Sequence, residues 1–420
     1  MPPQSFAASA ATPLDDVVAQ QYNRWVYPKP IEDLAAASPL DRQWSDPALH
    51  YQLFWPSARD YPENLDILVA GCGSNQAASI AFHNRTARVV GIDVSEASLA
   101  HEHYLKKRHD LTNLELQLLP LEEVAGWDRD FDLVMATGVI HHLADPLAGM
   151  RALGSRLRRD GAFFVMVYAY YGRLGIEALQ SLFRMLELKQ DEPSLAVVKD
   201  TFARVGPNHL IQPYRQLASD LNFDGGLVDT FLHGRDEIYT VPLCLDLVSK
   251  AGLAFQGWLE NSNYHPESML PADSLIHQAI AKLPPRDMWT AMELFATQNA
   301  CHFFLACRPD RPPESYVIDF SSPRFHDWIL KRRYNLEVVQ GDANNPAQLM
   351  RGALMCPVTP AHALLFNPID GKRTVRQAID AAVTAGLKAE PGQIEKFAQE
   401  FYRSLWRLGL IDVRLPSSSA

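Results

Sequence analysis

Short apolar runs and amphipathic stretches alternate along residues 65–168. The apolar runs predict buried strands, which lie at 65–70, 88–92, 114–118, 131–136 and 162–167. The stretches between them carry apolar residues at helical spacing at 76–83, 96–109 and 146–157. Continuous apolar strands that alternate with amphipathic helices are typical of a parallel sheet with helices on both faces. With two further apolar runs at 253–258 and 302–307, the pattern predicts an α/β domain with a seven-stranded sheet.

Composition shifts divide the chain into consecutive segments. These are a disordered tail (1–13), an aromatic-rich segment (14–61), the α/β domain (62–308), a linker (309–335) and a small C-terminal module (336–415). The α/β domain carries a mostly helical insertion at about 170–240. Insertions of this length at the ligand edge of a sheet often form lids or substrate pockets.

Composition places the chain among soluble globular proteins. Its 420 residues are 47% hydrophobic and 21% charged, which suits two or three domains and excludes a disordered chain. A net charge of −10 gives no general basic field, so we expect no nucleic-acid partner. The longest apolar run, at 162–171, is far shorter than a spanning helix of ~20 residues, so we expect no membrane insertion. Five scattered cysteines and an N-terminus without secretory features predict a cytoplasmic protein.

The turn after the first strand carries the strongest chemical signal. In LDILVAGCGSNQ (65–76), Gly71 and Gly73 let the backbone approach a ligand closely, and the following helix offers free N–H groups to an anion. Asp93 ends the second strand, where an acidic side chain can bind both ribose hydroxyls of an adenosine ligand. Gln76 occupies the third glycine position of GxGxxG, which disfavours NAD and FAD.

Four ordered motifs resemble those of class I S-adenosylmethionine (SAM) dependent methyltransferases, of the type 11/12 kind. They are VAGCGSNQ (69–76), GIDVSEASL (91–99), FDLVMATGVIHHLADP (131–146) and LRRDGAFFVMVY (157–168). The resemblance covers about 65–168 closely and the chain to 308 more loosely. It implies a Rossmann-like seven-stranded methyltransferase sheet, SAM as the cofactor, and transfer of its methyl group to a nucleophile.

The resemblance also implies which residues hold SAM. They are Gly71, Cys72, Gly73, Ser74, Asn75 and Gln76 for the methionyl part, Asp93 for the ribose, Val94, Leu119 and Pro120 for the adenine, and Thr137, Gly138 and Val139 beside the sulfonium. The sequence departs from the family at Val69, where an acid is common, and at Asn75, in place of a third glycine. We therefore expect Ser74, Asn75 or Gln76 to replace some contacts to the amino and carboxylate groups of SAM.

The aromatic-rich segment carries a narrower resemblance. QQYNRWVYPKP (20–30) is similar to the N-terminal segment of bacterial methyltransferases related to rickettsial outer-membrane-protein lysine methyltransferases. Tyr22 and Trp25 are expected to fold over the cofactor cleft and exclude water from it. The alternative is that these rings only pack in an aromatic core.

Methyl transfer requires an unprotonated nucleophile in line with the methyl group, and a general base only where that nucleophile carries a proton. Candidates for such a role follow the fourth and fifth strands, at the carboxyl edge of the sheet. The candidate catalytic residues are His141, His142, Tyr168 and Tyr170. No metal site is expected, because His101 and His103 stand two apart on a predicted helix and so point apart.

Aromatic and polar residues beyond the fifth strand are candidates for an acceptor channel. They are Tyr171, Arg173, His233, Arg235, Tyr239 and Tyr264, each with packing or a surface loop as the alternative. Near the C-terminus, AHALLFNPIDGKRTVRQAIDAAV (361–383) resembles the helix–turn–helix part of a small winged-helix, PqqD-like domain, a kind that often binds peptides. We expect the module to dock a peptide or to form a homodimer, with a stabilising cap as the alternative.

Three functions are consistent with these features. The leading hypothesis is a SAM-dependent methyltransferase that acts on a polypeptide side chain, the nitrogen of lysine. A small-molecule O-, N- or C-methyltransferase is the first alternative, because one fold core serves all these reactions and does not reveal the acceptor. A non-catalytic SAM-binding scaffold is the second alternative, because Val69 and Asn75 depart from the family motif.

Overall fold

The computed structural model describes residues 16–36, 46–341 and 347–416. The predicted disordered tail at 1–13 and parts of the aromatic-rich segment lie outside the described residues. The chain divides into two compact units. The first comprises Met1–Pro47, Glu63–Phe255 and Thr297–Pro309, and the second comprises Ala48–Pro62, Gln256–Ala296 and Asp310–Ala420.

A seven-stranded sheet has six of its strands, and the first two residues of the other, in the first unit. Its strands are β1 (Asp66–Ala70), β2 (Arg88–Asp93), β3 (Leu114–Leu118), β4 (Phe131–Thr137), β5 (Leu157–Tyr168), β6 (Ala254–Trp258) and β7 (Cys301–Cys307). They lie in the order β3-β2-β1-β4-β5-β7-β6. Strands β1 to β5 run parallel, whereas β7 runs antiparallel to β5. The predicted α/β fold with a seven-stranded methyltransferase sheet is confirmed.

Helices connect the strands of the first unit and form the insertion. They are α1 (Val17–Arg24), α3 (Gln76–His83), α4 (Glu96–Arg108), α5 (Pro146–Ser155), α6 (Leu174–Met185), α7 (Glu192–Arg204), α8 (Gln212–Leu217), α9 (Asp224–Phe231) and α10 (Val241–Lys250). Side-chain caps fix where several of them begin: Ser95 caps α4 and Asp145 caps α5 through backbone N–H groups. Among the described residues, none of the helices has the length and apolarity needed to cross a lipid bilayer.

Strand β5 begins five residues earlier than the apolar run predicts. The polar residues at its start stay in the strand because Arg158 binds the carboxylates of both Asp66 and Asp132. Asp66 also pairs with Arg88, and these hydrogen bonds lower the pKa of Asp66 to about 2. A hydrophobicity pattern misses this start because charged residues are neutralised by neighbours on β1, β2 and β4.

The insertion between β5 and β6 has its own apolar core. Helices α6, α7 and α9 supply most of the buried residues, which include Ile176, Leu179, Phe183, Leu195, Val198, Val228 and Phe231. Trp25 from the N-terminal segment packs against this core. The insertion is therefore a folded layer, as the mostly helical pattern predicts, and it carries several polar side chains toward the sheet edge described below.

The second unit is described by itself. Its helices are α2 (Tyr51–Phe54), α11 (Leu275–Ile280), α12 (Pro285–Phe295), α13 (Pro360–Phe366), α14 (Val375–Thr384) and α15 (Pro391–Arg407). Its strands are β8 (Ile329–Arg332), β9 (Glu337–Val339), β10 (Ala347–Arg351), β11 (Leu354–Val358) and β12 (Ile411–Arg414). β8 pairs antiparallel with β12, and β10 pairs with both β9 and β11.

The boundaries of the second unit differ from the predicted linker at 309–335. Phe320, Phe325 and Trp328 are buried in the same core as the helices α13 to α15. The guanidinium of Arg311 is buried and donates hydrogen bonds to Gln256 Oε1 and to the carbonyl oxygen of Phe54. Proline-rich composition indicates a linker, but here the prolines stand among residues that pack. The winged-helix likeness of the C-terminal module stays a prediction.

Candidate functional site

A cavity of about 1050 Å³ opens at the carboxyl edge of strands β1 to β5 in the first unit. Ligand pockets span roughly 300–1,000 Å³, so this one has room for a cofactor and for part of an acceptor. Most residues that the sequence assigned to SAM lie in its wall: Gly71, Cys72, Gly73, Asn75, Gln76, Asp93, Val94, Leu119, Pro120, Thr137, Gly138, Val139 and Tyr22. The chain segments that the sequence placed at one sheet edge therefore meet in one cavity.

The glycine turn after β1 is tightly enclosed. Gly71 has φ +64°, and a Cβ added to it would lie 2.4 Å from Cγ2 of Val139. Gly73 has φ +58°, and its Cβ would lie 2.8 Å from Cδ of Pro28. Side chains at either position are excluded by both the backbone conformation and the neighbouring atoms. The turn thus holds its backbone against the cavity.

Asp93 closes β2 with its carboxylate at the cavity wall. Oδ2 accepts from the backbone N–H of Gly73 at 2.8 Å, and Oδ1 accepts from that of Ser95 at 2.9 Å. The pKa of Asp93 is raised, because the effect of burial is larger than the opposite effect of the backbone N–H groups that bind the carboxylate. Each carboxylate oxygen keeps a further lone pair, so both can still accept from hydroxyl groups of a ligand.

Glu102, which the sequence analysis did not select, lies behind the glycine turn. Its fully buried carboxyl accepts from the backbone N–H groups of Ala77 at 2.9 Å and Ala78 at 2.8 Å, in the first turn of α3. The expectation that this helix start offers those N–H groups to a ligand is therefore wrong, because a side chain of α4 already occupies them. Burial raises the pKa of Glu102 to about 8.

Replacing Glu102 by alanine is expected to lower the free energy of unfolding by about 2–4 kcal/mol, because two buried N–H groups lose their acceptor. Glu102→Gln, which keeps one carbonyl oxygen, should lose about half as much. The pKa of Glu102 is higher in the folded than in the unfolded protein, so the unfolded protein loses this proton first as the pH rises. The contribution of Glu102 to the free energy of unfolding should therefore decrease between about pH 4.3 and about pH 8. Glu102→Gln should not show this decrease. Urea unfolding at several pH values measures both effects, and equal stability of all three proteins would contradict this role.

The N-terminal segment lies along the cavity. Ser74 Oγ donates to the carbonyl oxygen of Pro28 at 2.7 Å, and Asn75 Nδ2 donates to that of Lys29 at 3.3 Å. Ser74 is fully buried, and the indole N–H of Trp25 donates to the carbonyl oxygen of Gln190 in the insertion. The described cavity lining includes neither Ser74 nor Trp25. The segment thus ties the glycine turn to the helical insertion.

Two tyrosines of that segment pair with carboxylates from the insertion. Tyr22 lines the cavity, and its hydroxyl donates to Asp229 Oδ1 at 2.7 Å. Tyr27 donates to Asp220 Oδ2 at 3.0 Å and stacks on Phe223. Burial raises the pKa of Asp229 to about 6 and also raises the pKa of Asp220.

Two of the candidate catalytic residues, His142 and Tyr168, lie in the cavity wall. His142 Nδ1 lies 2.9 Å from the carbonyl oxygen of Arg235 and 3.1 Å from Asp236 Oδ1. The ring of Tyr168 lies 3.4 Å below the guanidinium carbon of Arg173. Burial raises the pKa of Tyr168 well above its usual range, so its phenol stays protonated at neutral pH.

The other candidate residues have different surroundings. Arg235 lies in the cavity wall and pairs with Asp16 at 2.9 Å. The described lining does not include the rest, which are His141, Tyr170, Tyr171, Arg173, His233, Tyr239 and Tyr264.

These residues are placed as follows. His141 is fully buried with its ring 3.8 Å from that of Tyr168, Arg173 is buried beside Asp236, and His233 lies behind Tyr22. The rings of Tyr170 and Tyr171 contact each other at the surface side, and Tyr239 donates to Glu237. Tyr264 belongs to the second unit, where it stacks on Trp258.

Histidine and aspartate atoms come within 4.8 Å of one another in two groups, His141–His142–Asp236 and His142–Asp229–His233. Hydrogen bonds account for the atoms of the second group, since Asp229 accepts from Tyr22 and Tyr168 and His142 Nδ1 faces the carbonyl oxygen of Arg235. Nδ1 of His233 accepts from the backbone N–H of Arg235 at 3.0 Å, so in the neutral ring Nε2 carries the proton and faces the Tyr22 hydroxyl at 3.3 Å. Since metal ions bind the lone pair of a neutral imidazole, we assign this second group as a hydrogen-bond network.

The sequence did not single out Glu102, Asp220 or Asp229. Glu102 had a detectable signal, because it stands with Ser98, Leu99 and Leu105 on the buried stripe of α4. An acid on an apolar stripe needs a buried partner. The two aspartates had no such signal, since Asp220 reaches the cavity, and Asp229 reaches Tyr22, only through the packing of the insertion.

Residues 68–163 match the family model of a methyltransferase domain. An uncharacterized protein of Synechococcus sp. is 25% identical over 316 residues, which are 73% of this chain and 75% of that protein. A probable S-adenosylmethionine-dependent methyltransferase of Mycolicibacterium smegmatis is 29% identical over 144 residues, 32% of this chain, and the match spans about half, 54%, of that protein. The fold is similar to that of PKMT2 from Rickettsia typhi in complex with AdoHcy, with a TM-score of 0.60 and 14% identity over 90% of this chain and 76% of that one.

The residues of the cavity suit SAM. Asp93 presents carboxylate oxygens for ribose hydroxyls, and Val94, Leu119 and Pro120 give an apolar surface for adenine. Gln76 Nε2 donates to Thr137 Oγ1 at 3.1 Å, which holds both side chains beside the glycine turn. Val69 is fully buried in β1, whereas Asn75, Gln76 and Thr137 contribute polar side chains to the cavity wall. SAM is the cofactor that the family match and these residues support.

Proposed function

The chain is a class I SAM-dependent methyltransferase, and from this premise we propose that it methylates a polypeptide side chain, the nitrogen of a lysine. One observation carries the proposal: four tyrosines line the cavity, and carboxylates of the insertion accept from the hydroxyls of three of them. The wall includes Tyr22, Tyr27, Tyr168 and Tyr214, together with Asp220. Asp229 stands directly behind Tyr22.

Such a wall favours a cationic acceptor. Aromatic faces attract an ammonium by roughly 0.5–2 kcal/mol each, and carboxylates add charge attraction. The described lining holds four acids, Asp16, Asp93, Glu122 and Asp220, against two cations, Lys29 and Arg235. Arg235 is already paired with Asp16. A lysine ammonium on a long, narrow stem would reach into this cavity from a polypeptide outside it.

Two features from the sequence support the same acceptor. The segment 20–30 resembles that of methyltransferases related to rickettsial lysine methyltransferases, and this segment supplies Tyr22 and Tyr27 to the wall. The predicted peptide-docking module offers a second site for the same polypeptide. A second attachment raises the effective concentration of the acceptor side chain.

In the reaction, SAM supplies an electrophilic methyl group on a positively charged sulfur. The residues of this chain orient the acceptor nitrogen behind that methyl group, and the aromatic side chains of the wall displace water around it. The hydroxyls of Tyr22 and Tyr27 donate hydrogen bonds to Asp229 and Asp220, respectively. These bonds hold the two rings in place. The acceptor nitrogen must lose its proton before attack, because an ammonium has no lone pair.

A small-molecule acceptor is the second candidate function. The volume of about 1050 Å³ is the observation that favours it, because SAM alone would leave part of the cavity free. A compact amine could occupy that space without a polypeptide attached.

Methyl-labelled SAM distinguishes the two acceptors. Purified enzyme is incubated with SAM and a lysate of the source cells, and the products are separated by size. We expect label in the protein fraction, and we expect it to disappear when the lysines of the lysate proteins are first acetylated. Label confined to small molecules would contradict the proposal and support the second candidate.

A further inference from the structure

His142 has a fixed tautomer in the cavity wall. Its Nδ1 faces two atoms that can only accept, the carbonyl oxygen of Arg235 at 2.9 Å and Asp236 Oδ1 at 3.1 Å. The ring proton of neutral His142 therefore resides on Nδ1, and Nε2 holds the lone pair. The side chain is almost fully buried, yet it belongs to the cavity lining.

Asp236 is itself held from the other side. Its Oδ2 accepts from the guanidinium of Arg173 at 3.3 Å and from Nε2 of Gln180 at 3.1 Å. The side chains of Asp236 and Arg173 are only 5% and 2% exposed. A buried carboxylate is costly unless it is paired and hydrogen-bonded. Here the cation of Arg173 and the amide of Gln180 bind its Oδ2.

We propose that Asp236 is a positioning residue for methyl transfer: clamped by Arg173 and Gln180, it orients His142 so that Nε2 accepts the proton that the acceptor nitrogen must lose. The inference rests on the proposed function, because a lysine acceptor binds as an ammonium and must lose a proton before it attacks. It assigns Asp236, Gln180 and Arg173 to one assembly, whereas the sequence placed Arg173 in an acceptor channel.

The step balances in atoms and charge. A proton leaves the acceptor ammonium for Nε2 of His142, which gives a neutral amine and a protonated imidazole. The amine lone pair then forms the new nitrogen–carbon bond, while the carbon–sulfur bond breaks and its electron pair stays on sulfur. The product is a methylated ammonium and a neutral thioether, and His142 returns its proton to water when the site opens.

Neighbouring charges bring the pKa of the acceptor ammonium and the pKa of His142 closer together. The titratable and charged groups around His142 are Asp236, Asp229, Arg173, Arg235, His141, His233 and Tyr168. Burial alone lowers the pKa of His142, but the hydrogen bond and charge of Asp236 outweigh it, so the pKa is raised. The pKa of the acceptor ammonium falls beside the positive sulfur of SAM. Both shifts favour proton transfer to His142.

Variants of the full-length enzyme test the proposal kinetically, with the protein acceptor of the labelling experiment. Asp236→Asn keeps the shape but removes the charge, so the pKa of His142 should fall and the acid limb of the kcat profile should move down by about one pH unit or more. Turnover at pH 8 should fall about tenfold. His142→Gln should lower kcat at least about 100-fold and abolish the limb. The control His83→Gln, a histidine at the far end of α3 whose ring contacts Ser79 and Phe82, should keep the limb.

Nuclear magnetic resonance of ¹⁵N-histidine protein with SAM bound tests the assembly without any acceptor. We expect neutral His142 to carry its proton on Nδ1, and its titration to move to lower pH in Asp236→Asn. An Nε2–H tautomer, or an unchanged titration in that variant, would overturn the positioning role. An acid limb that survives in His142→Gln would overturn the base.

The two failures are distinguishable. If the lysate experiment places all label in small molecules, the proposed function fails while the tautomer and titration of His142 still report on Asp236. If polypeptide is labelled but Asp236→Asn shows a wild-type pH profile, the proposed function stands and the inference fails.

Discussion

Replacing Asp93 with alanine is expected to weaken SAM binding at least tenfold. The carboxylate can accept from both ribose hydroxyls, and each charge-assisted hydrogen bond contributes about 1.5–3 kcal/mol, where 1.4 kcal/mol corresponds to tenfold in affinity. The variant also removes the acceptor of the Gly73 and Ser95 N–H groups, which shape the glycine turn. Isothermal calorimetry with SAM measures the loss.

A matched variant separates this effect from a general loss of charge. Asp128 is an exposed acid outside the cavity, so Asp128→Ala should bind SAM as the wild type does. Circular dichroism shows whether each variant is folded. Wild-type affinity in folded Asp93→Ala would overturn the assignment of the ribose site.

Deleting residues 1–30 is expected to abolish turnover while the sheet domain stays folded. The deletion removes Tyr22 and Tyr27 from the cavity wall and the carbonyl oxygens that accept from Ser74 and Asn75. The cavity then opens to water, and the glycine turn loses its cover. SAM affinity should fall by several-fold but remain measurable, because Asp93 and the adenine surface are retained.

Two controls accompany the deletion. Removal of residues 1–15 alone keeps every contact just described and should preserve turnover. If the longer deletion impairs folding, the double variant Tyr22→Phe, Tyr27→Phe keeps the rings and removes the hydroxyls that contact Asp229, His233 and Asp220. Its turnover should fall at least about tenfold. Full activity in both the deletion and the double variant would show that the segment only packs.

The sequence predicts the sheet and the cofactor end of the cavity because their signals are local. Continuous apolar runs mark buried parallel strands, and Gly71 and Asp93 stand directly at strand ends, where the topology brings them together. Neither assignment requires knowledge of how distant segments pack. The positions of Asp93 and the glycine turn at the cavity are, for this reason, predictable from two short motifs.

The acceptor end could not be predicted in the same way. Asp229 and Asp236 stand on the insertion, and they meet Tyr22 and His142 only after about 90 to 200 residues of chain have folded between them. The pairing of β8 with β12 is equally remote, so composition marked that region as a linker. Contacts of this kind depend on tertiary packing and leave no periodic signal in the sequence.

The central claim is methyl transfer from SAM to a lysine nitrogen of a polypeptide. The most direct measurement is total acid hydrolysis of the protein fraction after incubation with methyl-labelled SAM, followed by separation of the amino acids. The account predicts label in Nε-methylated lysine with the wild-type enzyme. It predicts loss of that label with Asp93→Ala at SAM concentrations below the Kd of that variant for SAM. Label in any other amino acid, or none in protein while a small molecule is methylated, would contradict it.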